Sequence, residues 1–208
     1  GGCGQAPLLD PNFFDDGGRQ HLDFSIYIRF SCPAPTASQT QEEASREHIL
    51  FAQGATLSRR HSLAITGDGQ MLVHTLGERT LTVLGGRVEY ARTGKPSLCD
   101  DEWHDVLVTS TGTGIAAATP QRPLGLFVDR STSSEAITNG LPANGVSWVR
   151  LESDAVNVPF CVYSAAAAAA NERPFFSTGR ISDVSLWSRD VRVNSFYFAG
   201  HDNPPTEL

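Results

Sequence analysis

Leu22, Phe24, Ile26, Ile28 and Phe30 alternate with Asp23, Ser25, Tyr27, Arg29 and Ser31. A period of two sends one set to each face of an extended chain, so the segment predicts a half-buried β-strand. Shorter apolar or alternating runs follow at 49–52, 63–65, 71–76, 81–84, 88–90, 106–108, 124–128, 148–151, 160–163, 181–186 and 193–198. The 19 Gly and 12 Pro fall between these runs at short intervals and do not gather in a linker. Eleven or twelve strands spaced by roughly 8–15 residues are the mark of a sandwich or barrel. The one competing stretch of helix formers, 41–51, supports a turn or two. No long helices alternate with strands, so a parallel α/β sheet is excluded and the fold expected is all-β.

Composition narrows the function classes. Apolar residues make up 40 % and charged residues 19 %, and no run approaches the ~18 consecutive apolar residues of a membrane helix. Sixteen Lys and Arg against 23 Asp and Glu give a net charge of −7, which opposes the phosphate-neutralising surface that nucleic acid requires. The 208 residues fit one domain, expected over 20–200 with an N-terminal extension (1–19) and a C-terminal tail (201–208). A start at Gly1-Gly2-Cys3 leads us to expect a piece of a larger parent protein. Cys3, Cys32, Cys99 and Cys161 show no zinc-type spacing, and their three possible disulfide pairings stay open. The alanine run 165–170 is expected to be a surface loop insertion.

Few residues suggest chemistry. No Gly-x-Ser-x-Gly elbow is present. Gly112-Thr113-Gly114-Ile115-Ala116-Ala117 imitates a dinucleotide fingerprint, but Pro120 and Pro123 would break the helix it needs. Arg59-Arg60-His61 is the one local basic cluster and the candidate ligand-binding group for an anionic partner. Any ligand is expected at rim loops, since the inward strand sets are apolar; the outward face around Tyr27 and Arg29 is the next place to look. Trp103, at the start of an inward-patterned strand, is expected to be buried and structural, with truncation costing about 3–5 kcal/mol.

Three segments in order carry a resemblance. Asp101-Glu102-Trp103-His104-Asp105-Val106-Leu107-Val108-Thr109, then Leu126-Phe127-Val128-Asp129, then Gly179-Arg180-Ile181-Ser182-Asp183-Val184-Ser185-Leu186-Trp187 resemble the laminin G-like (concanavalin A-like) jelly-roll family over about residues 20–200. The resemblance implies two packed antiparallel sheets, with Val106 and Val108 inward in one strand and Leu124, Leu126 and Val128 in another. Ile181 and Val184 cannot both point inward from a regular pleat, which predicts a bulge near Ser182-Asp183, after which Val184 and Leu186 resume the inward set. It further implies a non-catalytic module binding a glycan or protein, favouring an extracellular or cell-surface location over the cytoplasm. Many such domains hold Ca²⁺ at the rim, which makes Asp100, Asp101, Asp129 and Asp183 the candidate metal ligands. Two alternatives come with the same sandwich. One is an intracellular scaffold domain, as in BEACH-type proteins. The other is a degenerate glycoside hydrolase, in which Glu152-x-Asp154 lacks the third carboxylate.

Overall fold

The structure, a computed structural model, describes residues 2–5, 24–54, 57, 60–76, 86–110, 124–131, 133–139 and 159–187. In chain order these form β1 (Gly2–Gln5), β2 (Phe24–Ser31), α1 (Gln41–Ser45), β3 (Glu47–Gln53), β4 (His61–Thr66), β5 (Met71–Leu76) and β6 (Gly86–Ala91). There follow β7 (His104–Ser110), β8 (Leu124–Val128), β9 (Ala136–Asn139), β10 (Pro159–Val162), β11 (Glu172–Pro174) and β12 (Arg180–Trp187). The larger sheet runs β1-β10-β3-β4-β5-β6-β9, with β11 parallel to the first half of β3, and the smaller runs β12-β2-β7-β8. Every other strand pairing is antiparallel. The chain is an all-β, two-sheet jelly-roll sandwich.

The interior follows from pleat parity. Ile26, Ile28 and Phe30 of β2, Val106 and Val108 of β7, and Leu126 and Val128 of β8 join Leu63, Ile65, Leu72, Val88 and Tyr90 of the opposite sheet in one buried cluster. His74 takes an inward place in the row Leu63–His74–Val88 and is fully buried, where the pattern of its neighbours predicts an apolar residue. The expected bulge is present. Ile181 pairs Phe30 and Asp183 pairs Arg29, which leaves Ser182 as the extra residue and lets Ile181 and Val184 both pack on the core. A second bulge, at Leu50 between Ile49 and Phe51, turns both Leu50 and Phe51 to the interior.

The helix formers give the short helix expected: Thr40 and Glu43 close a capping box, α1 stops at Ser45, Arg46 is already extended, and the apolar run that follows is claimed by β3. Two expectations are corrected. Strand β2 is more than half buried, because Ser25 and Tyr27 on its outward face are also covered, and among its described side chains only Arg29 meets solvent. Gly2–Gln5, expected in an extension, is an edge strand of the larger sheet. The expected strands 81–84, 148–151 and 193–198 lie outside the described residues.

The alanine run is held down. Ala165 packs against Ile49, Ala52 and Ala64, the Ala167 carbonyl accepts from Arg60 Nη1, and the Ala169 N–H donates to Glu172 Oε2 at 2.6 Å. Methyl side chains let this backbone approach the sheet closely.

Candidate functional site

Arg60 does not belong to an exposed basic cluster. Its side chain is 2 % exposed and its guanidinium holds both Glu172 oxygens, Nη1 donating to Oε2 at 2.9 Å and Nη2 to Oε1. A charge this deeply buried persists only when paired, so it has no free edge for a ligand. Its neighbour Arg59 lies outside the described residues, and His61 opens β4 opposite Gln53.

Among the described residues the exposed aromatic is Trp103. Its side of the sandwich is the outward face of the smaller sheet, at one end. One step beyond the Phe30–His104 pair, Trp103 stands beside Ser31, and on its other side Ser31 pairs Arg180. Ser31 is small and buried, which leaves room for large side chains to cross it. The Arg180 guanidinium lies over the Trp103 ring at 4.9 Å from its centroid, and that of Arg29 at 5.7 Å. Trp103 keeps 37 % of its surface in solvent, so the expectation of a buried structural tryptophan is corrected. It sits at the end of the smaller sheet, just before β7, as a cation–π platform.

Around the platform the charges are arranged in layers. Asp105, opposite Arg29, accepts the Tyr27 hydroxyl at 2.6 Å and has Arg29 Nε at 3.9 Å and Arg130 Nε at 3.6 Å. Burial and then the Asp105 carboxylate push the Tyr27 phenol far above its ordinary range, so it stays a donor. Ser31 Oγ donates to the Asp101 carbonyl at 3.1 Å and accepts from Arg180 Nη2 at 3.4 Å. Arg180 enters β12 at a fixed place because Gly179 has no Cβ, which would fall 2.4 Å from Phe175 Cε1, and Phe175 in turn stands edge-on to Phe30.

Next to Trp103, His104 is clasped between two carboxylates. Its Nδ1 lies 2.9 Å from Asp129 Oδ2 and its Nε2 lies 3.0 Å from Asp100 Oδ1. Two acceptors require two donors, so the ring is the imidazolium. The hydrogen bond to Asp129, opposed by desolvation and reinforced by Asp100, raises its pKa. Burial alone would raise Asp100, but the bonds from His104 and the Glu102 N–H hold it below the usual carboxylate range. The backbone on this rim turns sharply at Asp101 and Asp129, with φ of 70° and 50°, and Cys99, just before the turn, is bonded to Cys32.

Of the four carboxylates expected to hold calcium, Asp100 and Asp129 are joined through His104. Asp183 accepts from Ser182 Oγ on β12, and Asp101 stands exposed in the turn. Among the described residues no three His, Cys, Asp or Glu side chains gather as a metal group. Ile181 and Val184 pack on the core as expected, and Leu186 pairs Ile26 in register. Glu152, Asp154 and the Gly112–Ala117 segment lie outside the described residues.

Neither a family model nor a curated protein matches this sequence. Solved structures do. The binding domain of botulinum neurotoxin serotype G superposes with a TM-score of 0.53 at 12 % identity, over 86 % of this chain and 37 % of that one. Domains LG4-5 of the mouse laminin alpha1 chain align with a TM-score of 0.42 at 14 % identity, over 84 % of this chain and 39 % of that one. The chain thus spans well under half the length of either, and at these identities the likeness concerns the fold.

Proposed function

We propose that this chain is a non-catalytic recognition module that binds a glycan through the Trp103 platform, for a larger parent protein at or beyond the cell surface. The observation that carries this reading is the exposure of Trp103 at one end of the smaller sheet, with the guanidiniums of Arg29 and Arg180 over its ring. An indole gives the apolar face of a sugar ring a flat partner and loses little freedom on binding. Catalysis finds no support in the same residues. His104 donates from both ring nitrogens and so offers no base, and the two carboxylates beside it are occupied by its N–H groups. The Cys32–Cys99 disulfide supports an oxidising compartment. The neurotoxin structure that shares the fold is a binding domain by name, which agrees with this reading at the level of fold.

A protein partner is the second reading, favoured by the same pairing of Trp with Arg, the side chains that most often anchor protein interfaces. Titration calorimetry of the chain against neutral and acidic oligosaccharides decides between them. Saccharide binding that disappears in Trp103→Ala, with the variant still folded, supports the glycan reading. Binding that survives the substitution, or its absence for every saccharide, overturns it.

A further inference from the structure

Resting on the reading just given, we infer that Arg180 is the anchor for a single acidic group on that glycan, a carboxylate or sulfate borne beside the sugar ring that stacks on Trp103. The other arginines and the lysine among the described residues are already engaged. Arg29 and Arg130 share Asp105, Arg46 pairs Glu42, Arg60 pairs Glu172, and Arg87 bridges Glu47 and Glu89. Arg92 and Lys95 share Glu135, and Arg173 donates to the carbonyls of Ala170 and Glu172. Among these described side chains Arg180 alone has neither a carboxylate nor a carbonyl partner. It touches the Trp103 ring and makes a long 3.4 Å bond to Ser31 Oγ.

In a chain of net charge −7 an unclaimed, exposed guanidinium beside an exposed indole is the place where an external oxyanion is best received. The guanidinium carbon stands 4.9 Å from the indole centroid, and apart from the long bond from Nη2 to Ser31 Oγ its N–H donors meet no protein acceptor among the described residues, which leaves them for a two-pronged contact with an oxyanion. Gly179, whose Cβ position Phe175 would clash with, holds the backbone close to Phe175 where it enters β12 at Arg180.

The surroundings also set an upper limit on the ligand's charge. Asp101, Glu102 and Asp183 are exposed around the platform, and Asp105 already claims Arg29. A densely sulfated chain would bring several charges against these carboxylates, whereas one isolated acid meets only Arg180. The ligand class is therefore a glycan with a solitary acidic group and not a polyanion.

The test compares lactose, sialyllactose, sulfated lactose and a fully sulfated heparin hexasaccharide by calorimetry at physiological salt. We expect the sialylated or the sulfated lactose to bind about tenfold more tightly than lactose, the usual worth of a charge-assisted contact. The two acidic forms distinguish a carboxylate from a sulfate source. Arg180→Gln should erase the preference, so that the acidic and neutral lactoses bind with the same affinity, and Arg180→Lys, a point charge without the fork, should restore only part of it. Heparin should gain nothing over the singly charged sugars. The inference is overturned if the preference survives Arg180→Gln, or if heparin binds an order of magnitude more tightly than either. Binding of all lactose forms with equal affinity through Trp103 would sink the acid anchor and leave the glycan reading standing. No binding by any of the four would overturn both.

Discussion

Arg60 and Glu172, 112 residues apart in sequence, meet as a two-pronged ion pair in which both side chains are at most 4 % exposed. The pair fastens β11 and the alanine run to the larger sheet. Arg60→Ala leaves the Glu172 carboxylate buried without its cation, and the expected loss is about 3–5 kcal/mol. A guanidinium chloride unfolding curve measures it. A midpoint equal to that of the parent would mean that the pair is open to water. Ligand binding at the Trp103 platform should be unaffected in whatever fraction remains folded.

Trp103→Ala should cost only about 1–2 kcal/mol, well below the loss expected of a core aromatic, because water fills the space at an exposed edge and each cation–π attraction to the ring is small. Thermal melts of the two proteins check this. A loss as large as about 4 kcal/mol, in the range of a buried aromatic, would return Trp103 to a structural role.

Cys32 and Cys99, 67 residues apart, close a long loop, and both are buried. Constraint of the unfolded chain by a loop of this size is worth about 4 kcal/mol in the chain-entropy model. The paired substitution Cys32→Ala with Cys99→Ala should therefore lower the unfolding free energy by about that amount, read from urea denaturation. A loss below about 1 kcal/mol would show that the bridge adds little beyond packing.

The His104 clasp makes part of the stability dependent on pH. Its folded pKa lies above the ordinary 6.5, so its contribution is fully present below that value and is lost as pH rises through the folded pKa. Burial lowers the pKa of His48, and that histidine acts in the opposite sense, weakening the fold as pH falls below 6.5. Comparing the parent with His104→Gln cancels the His48 effect. The melting-temperature difference should be largest in mild acid and shrink towards alkaline pH. A difference that grows with pH would contradict the imidazolium.

What the chain discloses by itself is the local part of the architecture. The strand at β2 and the bulge at Ser182 follow from parity within a few residues, so they are readable without knowing any partner. Strand β9 is hidden, since Ala136–Asn139 is four residues in a Gly- and Asn-bearing stretch and owes its conformation to pairing with β6. The candidate site is non-local in the same way. Arg60 resembles an exposed basic residue until Glu172 is placed beside it. Trp103 resembles a core residue until Ser31 and Arg180, from two other strands, are seen to draw its ring outward. The motif around Trp103 is legible in the chain, and only the assembled sheet shows which side chains surround it.

The alanine run between β10 and β11 acts as a length gauge. Its six identical residues carry no pattern of their own, yet their number decides which residue of β11 reaches the buried guanidinium. One alanine fewer, transmitted to the strand, would slide β11 by a step and present Arg173 in place of Glu172, setting two cations face to face beneath the loop. One more would bring Asn171 to the same place and leave the guanidinium without a carboxylate. The length of a patternless tract is thus coupled to the charge pairing beneath it, except where the loop absorbs a change by bulging away from the sheet.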